Sequence, residues 1–309
     1  MIWKKIVSIV TCAIFFLSAS GIAAAAAVPE TVQAKLAAVE VDTYGSVQRG
    51  AIIDRINQLE TDYDGRHSSG SMMQRVSMLY DNLYENAGGP SLMTRLNAIE
   101  WGLSHEVGMD PVEDRITELE TSVIGKIESG TFRSRISYLG DYAFGSGTLP
   151  ITEASVPANT LIKIALVDPL NAEKVREGDT VRYQVASDVI IDGVLLFAKG
   201  APGEGKVTRV KHAKNFGRNA QIDIDFQTTK AMDGTAVDTF LGDEAKEEMK
   251  QMAMAAGASV AGIVLLGPIG VIGGAFVKGK NVDVPAGTEM YIQTEENTVL
   301  YGVETTTVR

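Results

Sequence analysis

The stretches LMTRLNAIE at 92–100 and VEDRITELE at 112–120 share one pattern, and they begin twenty residues apart. An arginine stands fourth in each stretch, and a glutamate closes it. The same interval continues in both directions along the first half of the chain. A basic residue recurs at six positions, each twenty residues from the next: Lys35, Arg55, Arg75, Arg95, Arg115 and Arg135. Six copies without an insertion or a deletion are a strong signature of a repeat architecture.

The apolar residues within a unit have the spacing of a helix. In the fourth unit, Leu92, Leu96 and Ile99 fall at positions i, i+4 and i+7, which places them in one stripe of an amphipathic helix. Glycines at 45, 65 and 125 follow the stripes and are typical of helix ends. We therefore predict six repeats over 28–145, each a helix of about three turns and a loop of about six to eight residues. One such helix cannot bury its stripe alone, so an α-solenoid or a helical spiral is expected.

The repeats also carry two charged columns. A glutamate follows the basic residue by five positions in four units, and Tyr80 and Gly140 interrupt that column. Two interpretations remain open: the columns pair between neighbouring units, or they form a solvated face in which isolated pairs contribute little. The candidate residues for repeat stacking or partner contact are Arg55, Glu60, Arg75, Arg95, Glu100, Arg115, Glu120 and Arg135. The segment resembles the short Arg-apolar-x-x-Leu-Glu repeats of envelope proteins of diderm Firmicutes and related bacteria. The resemblance implies interaction or spacing and no enzymatic activity.

The first 27 residues have the plan of a secretory signal peptide. Lys4 and Lys5 precede an apolar run over 6–17, and small residues with Ala-x-Ala spacing follow through Ala27. Cys12 lies inside the apolar run, so we do not expect a lipid anchor. Removal of 1–27 takes away two positive charges and the only cysteine, and the net charge changes from −11 to −13. We expect an exported protein of the periplasm or the outer membrane.

The second half of the chain has the period of β-strands. Ile222, Ile224 and Phe226 alternate with polar residues, and the pairs Asp192-Gly193 and Asp233-Gly234 are typical of tight turns. We predict a linker over 146–155 and a β-domain over 156–309. The expected fold class is α+β with several domains: an N-terminal α-helical repeat array, then an antiparallel β-sandwich or barrel with a Gly-rich helical insertion.

A short motif recurs before two of the predicted strands. It reads VPANT at 156–160 and VPAGT at 284–288, with a looser copy, FAKGA, at 197–201. The motif, Gly178-Asp179 and the long insertion before the last copy resemble, over about 154–303, the outer-membrane β-barrel domain of type IV secretion channels, the TrbI-like family. That resemblance implies a helical insertion that reaches the membrane. Small β-domains with a glycine-rich insertion in bacterial envelope proteins are the closer likeness.

The insertion over 244–280 contains 26 residues without a charge, at 252–277. The glycines expected to mediate membrane association or self-association are Gly257, Gly262, Gly267, Gly270, Gly273 and Gly274. Three interpretations remain open. The segment inserts into a membrane or forms an oligomer, it covers the barrel of a soluble protein as a helical hairpin with Gly267-Pro268 in its middle, or it spans a bilayer once.

A local basic cluster follows the third copy of the turn motif. Its members, the candidate anion contacts, are Lys206, Arg209, Lys211, Lys214 and Arg218. We interpret them as a solvated loop or as a contact for an anionic glycan or lipid headgroup. Asp223 and Asp225, two residues apart on one strand, are most simply interpreted as its wet face.

Catalytic and cofactor chemistry is not indicated. Lys206 ends a stretch close to a P-loop, but Val207 stands where that motif needs Ser or Thr. Three scattered histidines and a single cysteine in the signal peptide do not have metal-ligand spacing. The acidic balance argues against a general nucleic-acid binder. We expect no catalytic residue, no cofactor and no metal.

The expected function is that of a non-enzymatic cell-envelope structural or assembly protein. Its repeats would serve as spacer or docking surface, and its glycine-rich insertion would mediate membrane association or self-association. Its partners would be envelope proteins, a membrane or further copies of itself. The alternative is a soluble periplasmic binding module for an anionic glycan or another ligand. A cell-wall hydrolase is the least favoured class.

Overall fold

The computed structural model describes residues 29, 31–145, 149–212, 220–255, 264–265, 271–273 and 283–305. A helical region is followed by antiparallel sheets that include a closed six-stranded barrel. The predicted α+β class is therefore confirmed. The signal peptide predicted over 1–27 lies outside the described residues.

The helical region keeps the twenty-residue period. Its helices are α1 (Val32–Tyr44), α2 (Ile52–Asp64), α3 (Met72–Tyr84), α4 (Leu92–Ser104), α5 (Val112–Leu119), which continues as a π-helical turn over Glu120–Ile124, and α6 (Phe132–Phe144). The seven-residue connections between consecutive helices are called corners here and are named by number: 45–51, 65–71, 85–91, 105–111 and 125–131. The helix and loop lengths agree with those predicted from the apolar spacing.

Side chains and glycines fix where the helices begin and end. Ser71 and Thr131 accept hydrogen bonds from backbone N–H groups three residues on, which satisfies donors that a helix N-terminus leaves free. Gly45, Gly65 and Gly125 end their helices in the left-handed conformation, with φ of 77°, 69° and 81°. This conformation turns the chain sharply at the corner and is accessible to glycine without steric cost.

The helices form a spiral in which contacts reach beyond sequence neighbours. Helix α1 packs against α3 and α5, α2 packs against α3 and α6, and α4 packs against α3 and α6. Corner 45–51 meets the start of α5, and corner 65–71 meets the start of α6. Of the two arrangements expected from the repeats, the helical spiral is the one observed. Its core consists of the apolar stripes, with residues such as Leu36, Ile56, Leu96 and Ile116 fully buried.

The β-region contains fourteen strands among the described residues. They are β1 (Ile151–Val156), β2 (Leu161–Leu166), β3 (Leu170–Asn171), β4 (Thr180–Val185), β5 (Val189–Ile191), β6 (Val194–Phe197), β7 (Pro202–Lys211), β8 (Gln221–Lys230), β9 (Ala236–Phe240), β10 (Val264–Leu265), β11 (Val271–Gly273), β12 (Asp283–Val284), β13 (Glu289–Thr294) and β14 (Thr298–Glu304). The barrel runs β8-β7-β4-β2-β13-β9, and β9 pairs back onto β8. Closure leaves none of these six strands without a partner on either side.

Tyr183 fills the middle of the barrel. Its hydroxyl donates a hydrogen bond of 2.9 Å to the carbonyl oxygen of Thr228, and its ring packs edge to face on Phe226 at 5.6 Å between centroids. Burial raises the pKa of this phenol to about 12. Gly203 lies against the same ring, where a Cβ atom would come within 2.1 Å of it. A glycine is therefore required on β7 at this point.

A second sheet, in the order β1-β14-β6-β5, lies beside the barrel. The predicted hairpin at Asp192-Gly193 is confirmed, since both residues have positive φ, 51° and 81°, between β5 and β6. Strand β1 begins at Ile151, inside the segment predicted as a linker. It forms part of the fold because it pairs along its whole length with β14 near the end of the chain.

The recurrent motif forms the same turn three times. Asn159, Gly200 and Gly287 each have positive φ just before β2, β7 and β13. The N–H of each turn residue binds the carbonyl oxygen that ends the neighbouring barrel strand: Asn159 binds Thr294, Gly200 binds Val185 and Gly287 binds Leu166. The motif thus closes strand ends of the barrel. The stretch that nearly matches a P-loop lies in one of these turns and in β7, and a helix does not follow it.

The helical insertion expected over 244–280 is observed in its first part, and the described pieces of its second part differ from that expectation. Helix α7 covers Asp243–Ala255, but the described pieces farther on are strands: β10 and β11 pair with each other, and β11 pairs with β8. Val264, Val271 and Ile272 have β-branched side chains, which favour strands. Strand β8 pairs with β9 only at 228–230, so β11 can pair with β8 at 221–223. The described residues 264–265 and 271–273 pair as antiparallel strands and do not form the expected helical hairpin.

Candidate interaction surfaces of the repeat array and the β-domain

The glutamate and arginine columns meet across the corners. Arg75 donates from Nε to Glu60 Oε1 at 3.0 Å and from Nη2 to Glu60 Oε2 at 2.5 Å, and both side chains are buried. The two residues are fifteen positions apart, so the contact joins the C-terminal half of α2 to the first turn of α3. A two-point arginine–carboxylate contact fixes orientation as well as distance.

The same contact recurs four times. The pairs are Glu40 with Arg55, Glu60 with Arg75, Glu100 with Arg115, and Glu120 with Arg135. They occur two and two, because Tyr80 and Gly140 interrupt the glutamate column in the third and sixth units. The array is thus a tandem of two three-helix groups, α1–α3 and α4–α6, with two ion-paired corners in each group.

Each glutamate also holds the corner that follows it. Its Oε2 accepts a backbone hydrogen bond from the residue eight positions on: Gln48, Ser68, Gly108 or Glu128, at 2.9 to 3.1 Å. In three pairs the arginine Nη2 has another acceptor, supplied by Asn57, Asn97 or Thr117. Buried charges are tolerated when their hydrogen-bonding capacity is met in this way.

Protonation equilibria reflect this arrangement at the second corner. Burial alone would raise the pKa of Glu60, but hydrogen bonds from Arg75 and the Ser68 N–H outweigh it and hold that pKa below its ordinary value. The carboxylate raises the pKa of Arg75 in return, and Glu40 does the same for Arg55. The ionised form of Glu60 is therefore the form that the folded state stabilises.

Arg95 is the exception among the arginines of the column. Tyr80 stands where four of the six units have glutamate. Arg95 is exposed and donates only to the Pro90 carbonyl oxygen, at 3.1 Å, among the described residues. It lines a cavity of 490 Å³ between α4 and α6. Tyr80 instead packs on Tyr84, with the Lys35 ammonium 4.7 Å from its ring.

Corner 85–91 follows the helix in which Tyr80 replaces the glutamate of the column, and it attaches to the β-region. Asn86 Oδ1 accepts hydrogen bonds from the Ser91 N–H and the Thr94 hydroxyl, and its Nδ2 donates to the carbonyl oxygen of Asp233. The Asp233 carboxylate in turn accepts from the Tyr301 N–H at 2.9 Å. The interruption of the glutamate column therefore coincides with one of the junctions between array and β-domain.

Helix α4 and corner 105–111 provide the rest of this junction. Trp101 packs with Leu195 and Met232 in a buried apolar cluster, and its Nε1 donates to Asp188 at 3.0 Å. The Val107 N–H donates to the Lys199 carbonyl oxygen at 2.8 Å. Sequence reasoning missed this surface, because its signal is only that Trp101 and Val107 are apolar at positions outside the repeat stripe.

The described members of the basic cluster lie on strand β7 and not in the expected loop, and they are partly engaged within the fold. Arg209 Nε donates to Asp223 Oδ2 at 2.6 Å, and Lys211 Nζ donates to Gln221 Oε1 at 3.1 Å. Lys206 is exposed, and Lys214 and Arg218 lie outside the described residues. The interpretation of Asp223 as part of a wet face is wrong: it is buried, and Gln221 and Arg209 bind its two oxygens. Strand β11 pairs at this position of β8, which removes it from the sheet edge, whereas Asp225 is exposed.

The glycines of the insertion are largely outside the described residues. Only Gly273 is described, as the last residue of β11, where it pairs with Gln221 of β8. In the described ranges, no helix is both long and apolar enough to cross a bilayer. The same ranges hold no cluster of three or more potential metal ligands. His67 and His105 lie in different corners, and His105 stacks edge to face on Trp101.

No family model matches the chain, and no curated protein matches it. Among solved structures, the chain is similar to ComB10 of the Com type IV secretion system of Helicobacter pylori. The similarity has 16% sequence identity and a TM-score of 0.26, and it covers 46% of this chain and 88% of ComB10. A likeness of this strength is too weak to assign a function.

Proposed function

We propose that the chain is an exported, non-enzymatic cell-envelope protein that spaces and docks other components. The helical array is the spacer and docking surface, and the β-domain presents the glycine-rich segment to a membrane or to another copy. The proposal includes export by the predicted signal peptide and a location in the periplasm or at the outer membrane.

The observation that carries this proposal is how the array uses its charged residues. In each paired corner a glutamate carboxylate is occupied by a guanidinium and a backbone N–H, so these groups hold the spiral together and are not available for chemistry on a substrate. A protein whose regularly spaced charged residues bind each other within the fold is suited to hold its two ends at a fixed distance. The junction through Trp101 and Asn86 then fixes the β-domain on this spacer.

The attachment of the glycine-rich segment supports the second part of the proposal. Strand β11 pairs with β8, so the segment is joined to the barrel by backbone hydrogen bonds as well as through α7. Attachment of an apolar, charge-free segment to the barrel supports contact of that segment with a bilayer or with a second copy.

Fractionation followed by carbonate extraction of the membranes tests this proposal. We expect the full-length protein, after processing by its host, to remain in the membrane pellet. The double variant V264E/L265E should be released, because a charge at the centre of an inserted segment costs about 2.5 to 3.5 kcal/mol. A matched control is I190E/V299E, which places the same charges on two exposed apolar residues of the second sheet.

Release of the wild-type protein by carbonate, together with a monomeric state, would contradict the proposal. The soluble binding module would then be the better description. Binding of anionic wall glycan that is lost in the Lys206→Gln variant would identify it, since Arg209 and Lys211 have side-chain partners within the fold and Lys206 is exposed without one among the described residues.

A further inference from the structure

The spiral contains a recurring contact in which a corner covers the start of a later helix. A Cβ atom on Gly45 would lie 3.0 Å from Pro111, and one on Gly65 would lie 3.2 Å from Thr131. The Tyr63 ring packs edge to face on Phe132 at 5.2 Å between centroids. Corners 45–51 and 65–71 thus cover the starts of α5 and α6.

This coverage buries the first residue of each later helix. Val112 at the start of α5 is 1% exposed, and Phe132 at the start of α6 is 5% exposed. An ion pair closes the rim of the second contact, where Arg133 Nε donates to Asp64 Oδ1 at 2.7 Å. The contact is therefore an established interface of this fold, with an apolar centre and a polar edge.

The starts of α2 and α3 occupy the same repeat position without such a cover. Ile52 is 37% exposed and Met72 is 49% exposed, although they correspond to Val112 and Phe132. The next residue in each helix is also apolar and exposed, Ile53 and Met73, whereas α5 and α6 have the charged Glu113 and Arg133 there. A repeat that ends an array in solvent is expected to be polar on its outer side. These four residues, Ile52, Ile53, Met72 and Met73, are called the open face.

The last two units carry the complementary surface without a target. Gly125 and Gly145 follow the ends of their helices with positive φ, as Gly45 and Gly65 do, but no atom of the described residues lies within 4 Å of a Cβ atom placed on either. Ile127 in corner 125–131 is 60% exposed, and Tyr142 on α6 is exposed. Corners 85–91 and 105–111 are occupied by the β-region. The region of Gly125, Ile127, Tyr142 and Gly145 is called the free end.

We propose that the open face of one copy binds the free end of a second copy. The ends of two consecutive helices, α5 and α6, have no cover to make among the described residues, and the starts of two consecutive helices, α2 and α3, are uncovered. Within the chain, the corners after two consecutive helices, 45–51 and 65–71, cover the starts of α5 and α6 in the same way. The contact between copies continues that internal interface, which is why a second copy is the occupant. It is heterologous, so repetition produces a ring or a filament. The inference rests on the proposed docking role of the array and names the partner.

The experiment uses two full-length variants, each charged on one side of the contact. I53E/M73E alters the open face, and I127E/Y142E alters the free end. Sedimentation velocity of each protein over a range of concentrations gives its state of association. We expect the wild type and the I190E/V299E control to assemble beyond dimers, and each variant to associate at least about tenfold more weakly.

Mixing the two variants provides the decisive measurement. Each retains one intact surface, so the mixture should form one-to-one dimers and nothing larger. A monomeric wild type, or variants that do not combine on mixing, would overturn the inference. Circular dichroism confirms folding, and the single variants M73E and I127E repeat the test with one charge each. Association that persists in both variants and does not change on mixing would overturn the inference. It would be attributed to the glycine-rich segment and would be compatible with the proposed function.

Discussion

The guanidinium of Arg75 is hydrogen-bonded at two points to the carboxylate of Glu60, fifteen residues earlier, across the corner between α2 and α3. Arg95 occupies the same position of the next unit, where Tyr80 stands in place of the glutamate and Arg95 binds only the Pro90 carbonyl oxygen among the described residues. One repeat position therefore holds a buried ion pair in one unit and an exposed arginine in the next. This difference separates what the pair contributes from what the arginine side chain contributes.

We expect the Arg75→Met variant to lose about 3 to 5 kcal/mol of unfolding free energy, because it leaves the buried Glu60 carboxylate without its counter-charge. The Arg95→Met variant should stay within about 0.5 kcal/mol of the wild type, since its side chain is exposed. Urea denaturation of both proteins, followed by circular dichroism, measures the difference. Equal losses in the two variants would show that the ion pair does not hold the corner.

The acid limb of the stability profile depends on the same pair. The folded-state pKa of Glu60 is below its unfolded value, so its contribution is fully present above the unfolded pKa and is lost as the pH falls through the folded one. The unfolding free energy of the wild type should exceed that of Glu60→Gln most at neutral pH, and the gap should close below about pH 4. Denaturant titrations at several pH values test this. A gap independent of pH would mean that Glu60 acts by shape alone.

The array was predictable because its signals are local. Helix length, loop length and the left-handed glycines follow from the spacing of residues such as Leu92, Leu96 and Ile99 within one unit. The sequence does not decide whether the charged columns pair between units or form a solvated face, because pairing across a corner depends on the angle that the corner imposes.

The junction and the β8 edge were not predictable for the opposite reason. Asn86 and Asp233 are 147 residues apart, and their hydrogen bond depends on how two separately patterned regions pack. Asp223 is polar in an alternating strand, so its pattern predicts solvent. Its burial depends on β11, which belongs to the glycine-rich insertion, and the composition of that insertion indicates a helix or a membrane-associated segment.

The junction can be tested at Gly200, where a Cβ atom would lie 2.1 Å from the Val107 carbonyl oxygen. Gly178 also has positive φ but has open space around it, so it is the matched control. Both Gly→Ala changes strain the backbone by about 1 to 2 kcal/mol. Only Gly200→Ala should also separate corner 105–111 from the β-domain, which limited proteolysis would detect as faster cleavage between the two regions. Equal cleavage rates for both variants would show that this contact does not join them.

The last prediction concerns Arg209, which belonged to the candidate anion site and in the structure holds the buried Asp223. Arg209→Met leaves that carboxylate with Gln221 as its remaining side-chain partner among the described residues, and we expect a loss of about 1 to 3 kcal/mol. Arg182→Met is the control on the same barrel, because Arg182 and Asp168 form a solvent-exposed ion pair. Such pairs contribute at most about 1 kcal/mol to the free energy of unfolding.

Thermal and urea unfolding of the two arginine variants would rank them. The expected order follows from burial, since water can replace Arg182 at Asp168 but reaches Asp223 only after local rearrangement. If Arg209→Met were as stable as Arg182→Met yet failed to bind an anionic glycan, Arg209 would serve a ligand and not the fold. A loss of stability with unchanged glycan binding would assign Arg209 to the barrel and leave Lys206 as the candidate contact for a ligand on this strand.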